Sequence, residues 1–221
     1  MPLLRGSLER GSGSFPDPGS HVVGILLAAG RSTRFGADKL TQPLPDDGEW
    51  VAVRACRNLL QGVDRVVAVL RDGQEALRLE FDRVGADVVV CENAEQGMGT
   101  SLAVGIARNP EASGWLVALA DMPWIAPETI GAVATAIRQG AGIAAPTFQG
   151  TRGHPVGFAS AYRESLLSLS GDRGARSLLQ GRAAEVCLVP CDDPGVLLDI
   201  DTPADLLARA PDAPLLPRGT C

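Results

Sequence analysis

The chain has 221 residues, of which 45% are hydrophobic, 21% are charged and 4% are aromatic, and its net charge is −6. This composition is typical of a soluble globular protein. The acidic balance and the scarcity of aromatic residues argue against a nucleic-acid surface or an anionic membrane surface. No apolar run is long enough for a transmembrane helix, so no membrane association is expected.

The two ends of the chain and its cysteines favour a cytoplasmic protein. Residues 1–20 lack the apolar core of a signal peptide and are expected to form a flexible tail. A single domain is predicted over residues 21–210, followed by a second flexible tail over residues 211–221. The five cysteines form no CxxC pair, and their odd number suits reduced thiols.

Apolar runs alternate with helix-period segments along the ordered part of the chain. Five buried strands are predicted at HVVGILLAA, DRVVAVL, ADVVVC, GWLVALA and GIAAPTF, with four helices between them. Further along, the pattern predicts helices at 160–169 and 174–181, strands near 184–189 and 195–200, and a final helix from about 203. Strands that are apolar on both faces and separated by helices indicate one α/β domain with a mostly parallel, covered sheet.

The segment AAGRSTRFGADK follows the first predicted strand, where open α/β sheets bind their ligands. Gly30 and Gly36 permit close approach of the backbone, and Arg31, Arg34 and Lys39 supply positive charge for phosphate oxygens. Lys39 is the single lysine beside 19 arginines, which indicates a need for a compact ammonium. The spacing matches neither GxGxxG nor GxxxxGK[ST]. On pattern alone, the alternative is a glycine-rich turn with solvated arginines.

The same segment, LLAAGRSTRFGADKL, resembles the LAAGxSxRxGxxK signature of nucleotidyltransferases with a Rossmann-like fold. The resemblance implies a three-layer αβα sandwich that transfers an NMP group from a nucleoside triphosphate to an acceptor phosphate. It implies that Arg34 and Lys39 are catalytic and neutralise the triphosphate, Lys39 also stabilising the leaving pyrophosphate. The nucleotide-binding residues implied in this segment are Leu27, Ala28, Ala29, Gly30, Arg31, Gly36 and Lys39.

An aspartate ends the fourth predicted strand, in the segment LVALADMPWI. On its own, Asp121 before Met-Pro could simply cap a turn. The segment resembles the xxDMPxI element of the same family, whose aspartate carries the divalent metal. The resemblance therefore implies that Asp121 is catalytic and is the first ligand of Mg²⁺.

The segment LLDIDTPADLL is expected to supply the second metal ligand. Thr202 as N-cap, Pro203 at the first helical position and Asp205 in the first turn explain a helix start by local chemistry. Asp199 and Asp201 remain unexplained by capping, and on a strand end they would share one face. Resemblance to the family's DxDTPxDL segment favours Asp201, with Asp199 as the alternative.

Three further segments resemble elements of molybdenum cofactor cytidylyltransferases. GMGTSL resembles the GMxxSL element beside the nucleotide, which implies nucleotide contacts at Gly97, Met98 and Ser101. RGHPVGF and GDRGAR resemble the GHPV and GDxGAR elements of the same branch. On pattern alone, the histidine also suits a turn and the aspartate a helix cap. The implied acceptor-binding residues are Gly153, His154, Pro155, Asp172 and Arg176.

The LAAG sequence resembles the cytidylyl branch, whereas guanylyl relatives read LAGG, so CTP is favoured over GTP. The expected reaction transfers CMP from Mg-CTP to the terminal phosphate of molybdopterin and releases pyrophosphate. The implied partners are CTP, the molybdenum cofactor and a receiving molybdoenzyme or its chaperone. The alternatives are guanylyl transfer, a sugar phosphate or methylerythritol phosphate acceptor, and a non-catalytic module that binds the pterin cofactor.

Overall fold

Helices cover both faces of one twisted sheet in the computed structural model, which describes residues 21–30, 35, 38–172, 174–180 and 182–207. The predicted tails lie outside these residues. The strands are β1 (Val22–Leu27), β2 (Arg65–Leu70), β3 (Asp87–Val90), β4 (Gly114–Leu119), β5 (Ile143–Phe148), β6 (Thr151–Arg152), β7 (Val156–Ala159) and β8 (Val186–Pro190). The α-helices are α1 (Val51–Gly62), α2 (Glu75–Val84), α3 (Met98–Ala107), α4 (Pro127–Arg138), α5 (Arg163–Leu167), α6 (Arg176–Leu179) and α7 (Pro203–Leu207). Short 3-10 turns lie at Lys39–Thr41, Ala94–Gln96, Ser160–Tyr162, Ala183–Glu185 and Pro194–Leu197.

The strands follow the order β3-β2-β1-β4-β7-β5-β6, and β8 also pairs with β5. β1 pairs in parallel with β2 on one side and with β4 on the other. β7 is antiparallel to both β4 and β5. The chain therefore adds strands on one side of β1 (β2, then β3) and afterwards crosses to its other side (β4). The point where the strand order reverses lies between the carboxyl ends of β1 and β4, and open α/β sheets bind ligands at such a switch point.

The two faces of β1 pack into two separate apolar cores, as a strand buried on both sides requires. Leu26 packs in one core with Leu59 of α1 and Phe81 of α2. Ile25 packs in the other with Leu102 and Ile106 of α3. The predicted α/β class and three-layer arrangement are confirmed. Within the described residues, no helix is long and apolar enough to cross a membrane.

The prediction of a strand near residues 195–200 is wrong. Residues 194–197 form a 3-10 turn instead, with Pro194 in its first turn and Asp193 accepting a hydrogen bond from Gly195 N at 2.9 Å. Proline fixes φ in the helical range and the aspartate caps the turn, so local chemistry overrides the apolar run. Asp199 and Asp201 consequently do not share a strand face.

The final helix starts where the sequence predicts, at Pro203. Asp205 Oδ2 accepts hydrogen bonds from Thr202 N at 2.8 Å and from Asp201 N at 3.1 Å. Asp205 N in turn donates to Thr202 Oγ1 at 3.3 Å. This reciprocal capping fixes the backbone immediately after Asp201.

Strands β6 and β7 were not among the predicted elements. β7 inserts antiparallel between β4 and β5, and β6 forms a two-residue hairpin arm with β5. Both strands are short, and the GHPV segment that leads into β7 has the composition of a loop.

Candidate active site

Three charged side chains from distant parts of the sequence meet at the carboxyl ends of β1 and β4. Lys39 Nζ donates to Asp121 Oδ2 at 2.8 Å and to Asp201 Oδ1 at 3.3 Å. Asp121 follows β4, and Asp201 lies just before α7. The structure thus brings together three of the residues predicted for catalysis and metal binding. Arg34, the fourth, lies outside the described residues.

Local backbone bonds hold each of these three residues in place. Asp38 Oδ1 accepts from Leu40 N at 3.2 Å and so caps the 3-10 turn that presents Lys39. Ile200 N donates to the main-chain oxygen of Asp121 at 3.0 Å. The segment before α7 is therefore fastened directly to the end of β4.

The cluster is only partly open to solvent, so its charges interact strongly. The side chains of Lys39 and Asp121 are 15% and 21% exposed, and that of Asp201 is 42% exposed. Burial lowers the pKa of Lys39, but the hydrogen bonds and charges of Asp121 and Asp201 outweigh that effect. The pKa of Lys39 therefore lies above its ordinary 10.5, and the ammonium keeps its charge at neutral pH.

One oxygen of the cluster has the character of a metal ligand. Asp121 Oδ1 is buried and has no hydrogen-bond partner among the described residues, although its sister oxygen binds Lys39. A buried carboxylate oxygen without a partner is costly unless something binds it. Within the described residues no group of three His, Cys, Asp or Glu side chains could hold a metal by itself. Two carboxylates and no protein cage suit Mg²⁺, which keeps waters and takes phosphate oxygens.

A cavity of about 690 Å³ opens beside the cluster. Its size suits a nucleotide-sized ligand. Ala28, although predicted to bind the nucleotide, does not line the cavity, because its side chain is buried in the core on the α1 side of the sheet. Arg31 and Gly36 lie outside the described residues. The predicted site residues that line the cavity are Leu27, Ala29, Gly30, Lys39, Gly97, Met98, Ser101, Asp121 and Asp172.

Two glycine-containing segments close one side of this cavity. Gly97 has φ of 115°, a value that favours glycine, and a Cβ there would collide with the backbone of Gly171. Gly99 N donates to Gly171 O at 2.8 Å. This close packing of the two segments places Asp172 on the cavity wall.

Sequence reasoning missed the residues that β2 and β3 contribute to the cavity. Arg71 and Asp72 directly follow β2, and Cys91, Glu92 and Glu95 follow β3. The signal was available, because the carboxyl ends of neighbouring parallel strands meet at one edge of a sheet.

The described lining of the cavity is acidic. One of the two basic side chains in the lining, Arg71, is close to an acidic residue, because its Nη2 lies 3.6 Å from Asp38. The Nε of Arg71 is buried and has no hydrogen-bond partner among the described residues. The acidic side chains are Asp72, Glu92, Glu95, Asp121 and Asp172, and the basic ones are Lys39 and Arg71.

The predicted acceptor residues do not share one location. Gly153, His154 and Pro155 are outside the lining of this cavity, and Arg176 is exposed on α6. Burial lowers the pKa of His154 below its ordinary 6.5, against the opposing charge of Asp121. The imidazole is therefore neutral at pH 7. Its Nδ1 is buried without a hydrogen-bond partner among the described residues.

The family model described as the MobA-like NTP transferase domain matches residues 24–187 of the chain. The chain belongs to this family. The match spans β1 to the start of β8 and includes Lys39 and Asp121, two members of the charged cluster. The predicted nucleotidyltransferase class is confirmed at this level.

Three relatives with different names are similarly close to the chain in sequence. The chain is 32% identical to the purine catabolism protein PucB of Bacillus subtilis, over 86% of the chain and 97% of PucB. It is 31% identical to the nicotine blue oxidoreductase of Paenarthrobacter nicotinovorans, over 82% and 92%. It is 30% identical to a probable molybdenum cofactor guanylyltransferase of Mycolicibacterium paratuberculosis, over 86% and 95%. Because such differently named proteins are similarly close, the family alone does not identify the substrate.

A solved structure that is similar in sequence has the same fold. Rv0371c from Mycobacterium tuberculosis H37Rv superposes with a TM-score of 0.74 at 31% identity, covering 84% of this chain and 95% of that one. A second structure of Rv0371c, in complex with manganese, gives a TM-score of 0.72 at 30% identity and covers 86% and 100%.

Proposed function

We propose that this protein transfers CMP from Mg-CTP to the terminal phosphate of molybdopterin, forming the cytosine dinucleotide cofactor and pyrophosphate. The observation that carries the proposal is the Lys39–Asp121–Asp201 cluster, of which Lys39 and Asp121 line the cavity. It joins a fixed ammonium to two carboxylates at the switch point of the sheet. A positioned cation and carboxylates that can bind a metal are the groups that phosphoryl transfer needs, since such reactions depend on positioning and charge neutralisation.

Asp121 and Asp201 are the proposed ligands of the divalent metal. The buried, unpartnered Asp121 Oδ1 fits this role, and a divalent cation would also offset the acidic side chains in the described lining of the cavity. Rv0371c, which is similar to this chain, has been solved in complex with manganese, and this supports a divalent metal here. When bound, Mg²⁺ would neutralise the phosphate oxygens of CTP.

Lys39 is the proposed electrostatic catalyst. In the reaction, a phosphate oxygen of the acceptor forms a bond to the α-phosphorus while the bond from that phosphorus to the bridging oxygen of the β-phosphate breaks. Negative charge grows on the leaving pyrophosphate. An ammonium already oriented by Asp121 and Asp201 is available to neutralise it without reorganisation. The proposed reaction involves no covalent enzyme intermediate.

Ala29 supports the choice of CTP. Its side chain lines the cavity and is only 7% exposed, at the position where the guanylyl signature LAGG has glycine. The extra methyl group narrows the cavity, which favours the smaller pyrimidine base. GTP is the second candidate, because two mycobacterial relatives at 30% identity carry the name of molybdenum cofactor guanylyltransferases.

The acceptor assignment rests on the resemblance of the GHPV and GDRGAR segments to elements of the cytidylyltransferases. Asp172 of the second segment lies on the cavity wall, next to the proposed nucleotide. A receiving molybdoenzyme or its chaperone would take up the dinucleotide product.

The decisive experiment measures pyrophosphate release with Mg²⁺ and molybdopterin for CTP, GTP, ATP and UTP separately. Release with CTP alone is expected, and it should disappear in Asp121→Asn, which keeps the size of the side chain but removes its charge. Release with GTP alone would replace the cytidylyl assignment by a guanylyl one. Silence with all four nucleotides from folded protein would contradict the proposal, and a matching panel with sugar phosphates and methylerythritol phosphate would then identify another acceptor.

A further inference from the structure

We propose that residues 193–201, here called the strap, hold Asp201 beside Asp121 and thereby set the affinity of the site for its divalent metal. Asp193 is the positioning residue of the strap. The inference rests on the proposed function, because it takes Asp121 and Asp201 as the metal ligands. It adds a residue that lies outside the lining of the cavity and acts through the backbone.

Asp193 uses one carboxylate oxygen to join the strap to the loop that begins with Asp121, and the other to fix the turn within the strap itself. Oδ2 accepts a hydrogen bond from Ala126 N at 2.8 Å, at the residue that leads into α4. Oδ1 accepts from Gly195 N at 2.9 Å, within the 3-10 turn. Hydrogen bonds to an ionised carboxylate are stronger than neutral ones, so this one side chain is an effective clamp.

The strap also lies in direct contact with the same loop. A Cβ on Gly195 would collide with the backbone carbonyl of Trp124, so only glycine permits this approach. On its other side, Val196 O accepts a hydrogen bond from His154 N at 2.9 Å, and the Val196 side chain is fully buried. The strap is therefore fixed between two segments of the chain.

The far end of the strap delivers Asp201 to the cluster. Ile200 is fully buried, and its N donates to Asp121 O at 3.0 Å. The next residue, Asp201, accepts from Lys39 at 3.3 Å. The distance between the two carboxylates thus follows from the backbone path that starts at Asp193. Loss of the Asp193 hydrogen bonds is expected to increase the distance between the Asp121 and Asp201 carboxylates, or to make that distance more variable.

Mn²⁺ binding to the full chain, followed by electron paramagnetic resonance, tests this role. Asp193→Asn replaces one acceptor oxygen by an amide that cannot accept from a backbone N–H. It is expected to weaken Mn²⁺ binding about tenfold, the usual effect of removing a residue that orients a metal ligand. The matched control is Asp192→Asn, which removes the same charge from the exposed neighbouring residue and should bind Mn²⁺ like the wild type.

Further variants separate the possible outcomes. Asp193→Glu keeps the charge and both acceptors, so it should fold and show a smaller weakening even if Asp193→Asn does not fold. Folded Asp193→Asn with a lower melting temperature but unchanged Mn²⁺ affinity would show a purely structural role and overturn the strap proposal alone. If the wild type binds no Mn²⁺, or Asp121→Asn binds it equally well, the metal assignment fails and the strap proposal fails with it.

Discussion

Lys39 is the chain's single lysine, and its surroundings explain why an arginine would not serve there. Its Nζ lies 2.8 Å and 3.3 Å from oxygens of two different carboxylates, a geometry that a compact ammonium satisfies from one point. A guanidinium is planar and wider, and it presents its donors as a fork. It would reach the two carboxylates from different nitrogens and so hold Asp121 and Asp201 farther apart than a single Nζ atom does.

Lys39→Arg is therefore expected to lower kcat at least about tenfold, equivalent to roughly 1.4 kcal/mol of transition-state stabilisation, while the charge is kept. Steady-state pyrophosphate release with saturating CTP measures this. The melting temperature should stay close to that of the wild type, which separates catalysis from folding. An unchanged kcat would remove Lys39 from the mechanism.

Ala29→Gly tests the proposed reading of the base. Removing a methyl group from the cavity wall is expected to raise kcat/KM for GTP relative to CTP by about tenfold, within the range that one such group discriminates. Ala28→Gly is the matched control, because the Ala28 methyl group lies in the core and not in the cavity. Equal nucleotide ratios in the two variants would show that Ala29 does not select the base.

At the level of whole elements, Asp64 links strand β1, helix α4 and the start of strand β2. Its Oδ2 accepts from Val22 N of β1 at 2.8 Å and from Arg138 of α4 at 2.7 Å, and Asp64 itself directly precedes β2. Burial raises the pKa of this carboxyl, but the Arg138 hydrogen bond and the Val22 amide outweigh that effect and hold it below 3.8.

A depressed pKa in the folded state means that Asp64 stabilises the fold above the unfolded-state pKa and loses this effect as the pH falls through the folded-state pKa. Asp64→Asn should therefore lower the free energy of unfolding at neutral pH, and its difference from wild type should close below pH 3.8. Urea unfolding at a series of pH values measures this, with Asp192→Asn as the exposed control. A difference that is independent of pH would exclude the ionised carboxylate as its cause.

The five strands and four helices from residue 21 to residue 148 follow from the sequence, because the strands are short apolar runs that end at turn residues and the helices between them have a helical period. The same reasoning located Lys39 and Asp121, since both follow predicted strands. It failed at the strap, where Asp193 and Pro194 impose a local turn on an apolar run. It also missed Arg71 and Glu92, whose approach to the cavity depends on the strand order and not on any local pattern.

At the level of the whole molecule, one sheet has an apolar core on each face. The charged cluster lies at the carboxyl ends of β1 and β4, two strands that contribute to both cores. Leu59 of α1 is buried in the first core and Leu102 of α3 in the second. Both cores depend on the same strands, β1 and β2, so neither can be lost alone. Unfolding should therefore be cooperative across the described domain.

Leu59→Ala and Leu102→Ala test this cooperativity from opposite faces. Each is expected to lower the free energy of unfolding by about 2–5 kcal/mol, through lost burial and the cavity that remains. In both variants, circular dichroism and tryptophan fluorescence should report one shared transition. Two separate transitions, or a loss confined to one face, would show that the cores are independent.

The single lysine also gives the whole molecule a built-in spectroscopic reporter. Protein grown with ¹³Cε-labelled lysine should show one side-chain resonance, and that resonance comes from Lys39, next to Asp121 and Asp201. Its chemical shift follows the ammonium directly, without any mutation or attached probe. Addition of a diamagnetic metal or a nucleotide can therefore be followed at the atom that carries the proposed chemistry, and a digest with a lysine-specific protease should cut the unfolded chain at this one position.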